Sequence, residues 1–134
     1  MATVDLSTSS LDAQPYPYTQ PVSLVTLTVD AATNTATTSD DYKLGDFPTT
    51  AMVLCGWLEV VTPEGGTATV DIGIAQDGAT IVAGADVNAA AGTITAISLA
   101  APVAITSGNI WVEPQNNLDA AEFKIHLVVA YPSF

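Results

Sequence analysis

Along most of this chain, hydrophobic and polar residues alternate with a period of two. That is the pattern of strands with one face in a core and the other toward water. In residues 22–30, Val25, Leu27 and Val29 alternate with Thr26, Thr28 and Asp30. Residues 67–74 set Ala68, Val70, Ile72 and Ile74 against Thr67, Thr69, Asp71 and Gly73. In residues 122–131, Phe123, Ile125, Leu127, Val129 and Tyr131 oppose Glu122, Lys124 and His126. Residues 51–62 form a longer apolar run rich in Val and Leu, and residues 109–113 a short one. Weaker strand patterns cover residues 80–83, 93–99 and 103–106.

Turn residues separate these runs. Pro63-Glu64-Gly65-Gly66 lies between two strong strand patterns and reads as a hairpin connection. Asp77-Gly78, Ala91-Gly92 and Ser107-Gly108 mark further reversals. No window carries a helical period, and residues 86–91 or 118–121 have room for a single turn at most. Many short strands joined by glycine turns predict an all-β fold, an antiparallel β-sandwich of jelly-roll-like form rather than a small barrel. Residues 22–134 make that one domain. Residues 1–21 are Pro-, Thr- and Ser-rich, and Pro15, Pro17 and Pro21 favour extended backbone. This segment reads as an arm lying on a surface, or alternatively as a frayed tail.

Composition narrows the choice of partner. The chain has 134 residues and is 49% hydrophobic, enough for a core without metal or disulfide staples. Fourteen acids stand against two basic residues, Lys43 and Lys124, for a net charge of −12. Nothing here neutralises a run of phosphates, so nucleic-acid binding is not expected. An anionic membrane surface would repel the chain for the same reason. No apolar run is long enough to span a bilayer, and the first residues lack the features of a secretory signal. Assembly in a reducing cytoplasm is the expectation.

A search for chemistry finds little. His126 is the only histidine, and its register places it outward with Glu122 and Lys124, which predicts a solvated side chain. Cys55 is the only cysteine. It lies in an apolar run with no basic neighbour to lower its pKa, so a buried, inert thiol is the default. Serine-nucleophile motifs and glycine-rich phosphate loops are both missing. No catalytic constellation emerges, and neither enzyme activity nor a cofactor is expected. Asp40-Asp41, Asp71, Asp77 and Asp86 could supply oxygen ligands to calcium, but the spacing of a calcium loop is missing and solvated acids are the simpler reading.

The tryptophans point to a surface. Trp57 shares its parity with Glu59, against Leu54, Leu58 and Val60; Trp111 shares its parity with Glu113, against Ile110 and Val112. If the acids mark outward faces, both rings project from the core. Exposed aromatic surface of that kind marks contact sites. The candidate interface is therefore Trp57 with Val53, Cys55 and Val61 beside it, Trp111, and the arm tyrosines Tyr16 and Tyr18. Burial of the tryptophans under a bulge or loop, or use as sugar platforms, are the alternatives.

The order of these segments resembles a known group. The run Gly56-Trp57-Leu58-Glu59-Val60-Val61-Thr62 and a glycine turn are followed by Val70-Asp71-Ile72-Gly73 and an Asp/Ala-rich stretch. Then come Asn109-Ile110-Trp111-Val112, Leu118-Asp119-Ala120-Ala121 and a closing strand ending in Ala130-Tyr131. Residues 22–131 are thereby similar to small structural proteins of tailed bacteriophages, often of marine or cyanobacterial hosts. The resemblance implies a decoration (cement) protein on the outside of an icosahedral head, with the major capsid protein as partner and a homotrimer as the favoured state. It implies no catalytic residues. Head-fibre, tail or baseplate components share such domains, and a carbohydrate- or receptor-binding module is the reading from another class.

Overall fold

The computed structural model describes residues 2–3 and 22–131. In chain order the strands are β1 (Ala2–Thr3), β2 (Val22–Asp30), β3 (Tyr42–Leu44), β4 (Met52–Thr62) and β5 (Thr69–Gly73). They continue as β6 (Val82–Asp86), β7 (Ile94–Ile97), β8 (Val103–Ala104), β9 (Ile110–Pro114) and β10 (Glu122–Ala130). One sheet runs β1-β2-β10-β4-β7, with β8 also on β4; the second runs β3-β9-β5-β6. Every pairing is antiparallel. There is no helix among the described residues.

The pairing has a simple logic. β2 pairs with β10, β3 with β9, β4 with β7, and β5 with β6. The first half of the chain thus meets the second half in reverse order, as one long hairpin wound into two sheets. That is jelly-roll connectivity, as the patterning predicts. Alternation supplies the core. Phe123, Ile125, Leu127 and Val129 on β10 are fully buried, while every residue between them is half-buried on the outer face. Facing them from the other sheet are Val70, Ile72, Ile110 and Val112, also fully buried. Each such side chain contributes about 1.5–3 kcal/mol on leaving water.

Two strands depart from the sequence reading. Tyr42–Leu44 is a strand that patterning missed, because three residues are too few to show a period. In the middle of the long apolar run, the register between β4 and β10 slips: Val128 faces Cys55, but the next residue, Val129, faces Val53. Leu54 is the extra residue of a β-bulge, and parity inverts across it. Val53 therefore points into the core and is fully buried, whereas Leu54 is half-exposed. Val53 was expected beside Trp57 on the outer face and Leu54 inside; both assignments are reversed by the bulge. At Gly56 the two strands come so close that a Cβ would overlap the His126 carbonyl oxygen, which explains a glycine in mid-strand.

A carboxylate ties the loops together at one end. The Glu64 side chain, in the turn between β4 and β5, accepts the backbone N–H groups of Asp119 (3.0 Å), Ala120 (3.1 Å) and Ala121 (3.0 Å) just before β10. Partial burial alone would raise the pKa of Glu64, but these donors outweigh it and hold the carboxyl below its usual value. The neighbouring Asp119 moves the other way, raised by its hydrogen bond to Glu64 and by that charge. A depressed carboxylate stabilises the fold above its ordinary titration range, and that part is lost as pH falls through the folded value. Glu64→Gln should cost about 1–2 kcal/mol in urea unfolding at neutral pH. The difference between variant and wild type should shrink on acidification; an equal gap at neutral and acid pH would show that the charge is not what matters.

Candidate interaction surface

The outer face of the six-stranded sheet is assembled by β2, β10 and β4. His126 on β10 lies between Thr26 and Trp57 in register. Its Nδ1 is 3.0 Å from the Thr26 hydroxyl, its Nε2 is 3.0 Å from Glu59 Oε1, and its ring stacks on Trp57 with centroids 4.9 Å apart at 22°. The histidine is outward as expected, but its side chain is only 14% exposed rather than freely solvated. Thr26 and Glu59 are the partners that sequence reasoning missed, since cross-strand neighbours show only once the register is known. Val61, half-buried, follows on the same strand at a second register slip.

Charge on this face is confined to one end. Asp30, Glu122, Lys124 and Glu59 occupy the rows at the start of β10. Toward the other end the outward residues are Leu24, Val128, Cys55, Val22, Ala130 and Met52, all uncharged. Val22 is 44% exposed. Cys55 is exposed as well, and not the buried thiol the apolar run suggested, because it faces Val128 on the outer side.

The outer face of the four-stranded sheet is of another character. Trp111 sits there, on β9 between Lys43 and Gly73 in register. The Lys43 ammonium lies 5.6 Å from the centre of its ring, a cation–π arrangement. The Trp111 indole N–H is buried without a hydrogen-bond partner. Glu113 is two residues further along the same strand, with Asp77, Asp41 and Asp71 near it. Burial raises the pKa of Asp41, and the charge of Asp77 adds to the effect. Glu113 is raised likewise by desolvation and then by Asp77, Asp41 and Asp71. Asp71 accepts the Gly84 N–H at 2.7 Å and Asp86 that of Asn88 at 2.8 Å. Among the described residues no group of three or more His, Cys, Asp or Glu is placed to hold a metal ion.

The candidate residues thus do not form one patch. Trp57 and Trp111 lie on opposite sheets, Val53 is in the core, and Tyr16 and Tyr18 fall outside the described residues, as does most of the predicted arm. A cleft of about 300 Å³ opens between the two sheets, lined by Leu27, Thr28, Lys43, Leu44, Gly45 and Asp46. It brings no nucleophile, base and oxyanion donor together.

What fold and surface define is a jelly-roll sandwich with one outward face that is charged at one end and uncharged at the other, and one acidic face. The comparison with solved structures agrees on the fold. A chain of the cyanophage Pam1 capsid asymmetric unit superposes with a TM-score of 0.67 at 18% identity, covering 98% of this chain and 100% of that one. No family model and no curated protein matches the sequence.

The exposure of Cys55 has a direct readout. A maleimide should label it to completion in the folded protein, without denaturant. Labelling only after unfolding would contradict the outward register of β4.

Proposed function

We propose that this protein is a structural component of a bacteriophage virion, a decoration (cement) protein on the outer surface of an icosahedral head. The observation that carries the reading is the end-to-end similarity in fold to a chain of a cyanophage capsid. In this reading the protein has no reaction to perform; it binds the major capsid protein and strengthens contacts between capsomers. The contact face is the uncharged end of the six-stranded sheet, with Trp57 at its border, and the acidic sheet faces solvent. A homotrimer is the favoured state, assembled with the shell in the host cytoplasm, and residues 1–21 act as an arm reaching onto the neighbouring surface. A head-fibre, tail or baseplate role would use the same fold at lower copy number. A sugar-binding role is supported by one feature, the flat Trp57 ring held in place by its stack on His126.

Quantitative mass spectrometry of gradient-purified virions, counting this chain against the major shell protein, tests the reading. Copies in the hundreds per particle are expected; a few dozen or fewer would move the protein to a vertex, neck or tail, and none would end the virion reading. Trp57→Ser should lower occupancy on the particle while leaving the circular dichroism of the free chain unchanged. Cys55 should be protected from maleimide on the particle and reactive off it. Because each copy carries a charge of −12, self-association and shell binding should both strengthen as salt screens the repulsion. Stronger binding at low salt would contradict a contact face chosen for its lack of charge.

A further inference from the structure

The edge of the six-stranded sheet formed by β7 and β8 is free of charge. From Val87 through Val112 the chain contains no charged residue, and this stretch builds β7, β8 and their connecting loops. β7 is the last strand of the six-stranded sheet, paired with β4 through Ile94–Glu59, Thr95–Leu58, Ala96–Trp57 and Ile97–Gly56. Among the described residues nothing pairs with its other side. Ile94 is 63% exposed, more than any other large hydrophobic side chain described.

Thr95 shows that this edge is open from both sides. In register with the fully buried Leu58, it belongs to the inner face of the sheet, yet it is exposed. The four-stranded sheet therefore does not cover β7 at Ile94–Ala96, where the strand overhangs, although Ile97 at its far end is buried in the core. An edge of this kind presents unpaired N–H and C=O groups as a template for another strand. Proteins usually blunt such edges by shortness, charges, prolines or bulges; β7 is short, at four residues, but has no charge, proline or bulge.

β8, on the same side of β4, is likewise uncharged, and so is the two-residue β1 at the other end of the sheet, but β2 beside it and both edge strands of the four-stranded sheet carry charge. Asp30 lies on β2, Lys43 on β3 with Asp41 and Asp46 flanking it, and Asp86 on β6. This difference selects the partner. A basic or neutral partner would have no need of a charge-free strip. A second copy of this chain brings a like charge of −12, and at the other sheet edges it would set acid against acid.

We infer that the β7 edge is the seat of a second copy of this chain, with the six-stranded sheet continuing from one copy into the next by strand addition. The inference rests on the homo-oligomer part of the function proposed above and does not depend on where the oligomer is used; β7 meeting β7 of the second copy is a two-fold contact that closes as a dimer, in place of the trimer. Exposed Ile94, Thr95 and Ala96 are the contact residues, and the backbone edge of β7 supplies the hydrogen bonds.

The test is light scattering coupled to size exclusion on the full chain, wild type beside Ile94→Lys. The substitution is made on an exposed side chain next to Glu59 and lowers the net negative charge, so general repulsion between copies decreases. Wild type should elute as a dimer and Ile94→Lys as a folded monomer, with far-UV circular dichroism unchanged. Ala96→Lys should act in the same direction, and Val22→Lys, at the opposite edge of the sheet, should leave the oligomer intact. An Ile94→Lys chain with the wild-type mass would overturn the inference, as would a wild type that is monomeric at every concentration. Virion copy number is read independently, so either result leaves the decoration reading to stand or fall by itself.

Discussion

Strand β10 is flanked along its whole length by β2 on one side and β4 on the other, and much else in the molecule depends on that two-sided pairing. Its inward side chains fill the middle of the core, and its outward ones set the rows on which Trp57, Glu59, Thr26 and Cys55 are displayed. The stack of Trp57 on His126 exists because the two residues are register partners. So does the separation of charged rows from uncharged ones. A strand with a clean period of two, held from both sides, has one register available, since a slip by a single residue would turn Phe123, Ile125 and Leu127 out to water.

Where alternation is uninterrupted, the sequence was a good guide. β2, β5 and β10 could be read almost to the residue, and glycine turns such as Ala91-Gly92 and Ser107-Gly108 fall where the chain adopts positive φ at Gly92 and Gly108. The site was less legible. A bulge is an event between two strands, so nothing in the run around Leu54 announced that Val53 would face inward. Trp57 and Trp111 look equivalent in sequence, each beside an acid on the outer parity, and only the strand order shows that they lie on opposite sheets. Glu64 could be assigned to a turn, but the turn crosses from one sheet to the other instead of making the expected hairpin, and its role required knowing that the loop before β10 packs against it. The exposed Thr95 is the same kind of case: its parity is inward, and its exposure reflects how far the other sheet extends.

The two outer faces suggest how a strongly acidic chain manages contact. On the four-stranded sheet, desolvation first and neighbouring acids second raise the pKa values of Asp41 and Glu113. On the six-stranded sheet, charge is held at one end and the rest is left apolar. Such a division suits a protein that adheres by one side and repels by the other, which is consistent with the proposed place on a particle. The proposed contact area lies on strands rather than loops, where backbone hydrogen bonds fix the side-chain geometry.

The hairpin-like winding has a consequence for how the chain comes into being. β2, near the start of the described domain, finds its long partner only in β10, and β4 has β10 along the whole of one side. Until residues 122–130 have been made, the larger sheet is missing its middle strand, and Val25, Leu27 and Leu58 have no wall to pack against. Synthesis therefore cannot proceed fold-by-fold along this chain. The domain must wait for its last strand and then close in a single, topologically distant step, which is slow compared with local folding. In that interval the uncharged strips are exposed on an unfinished sheet, and the acid-rich segments are what keep one nascent chain from the next.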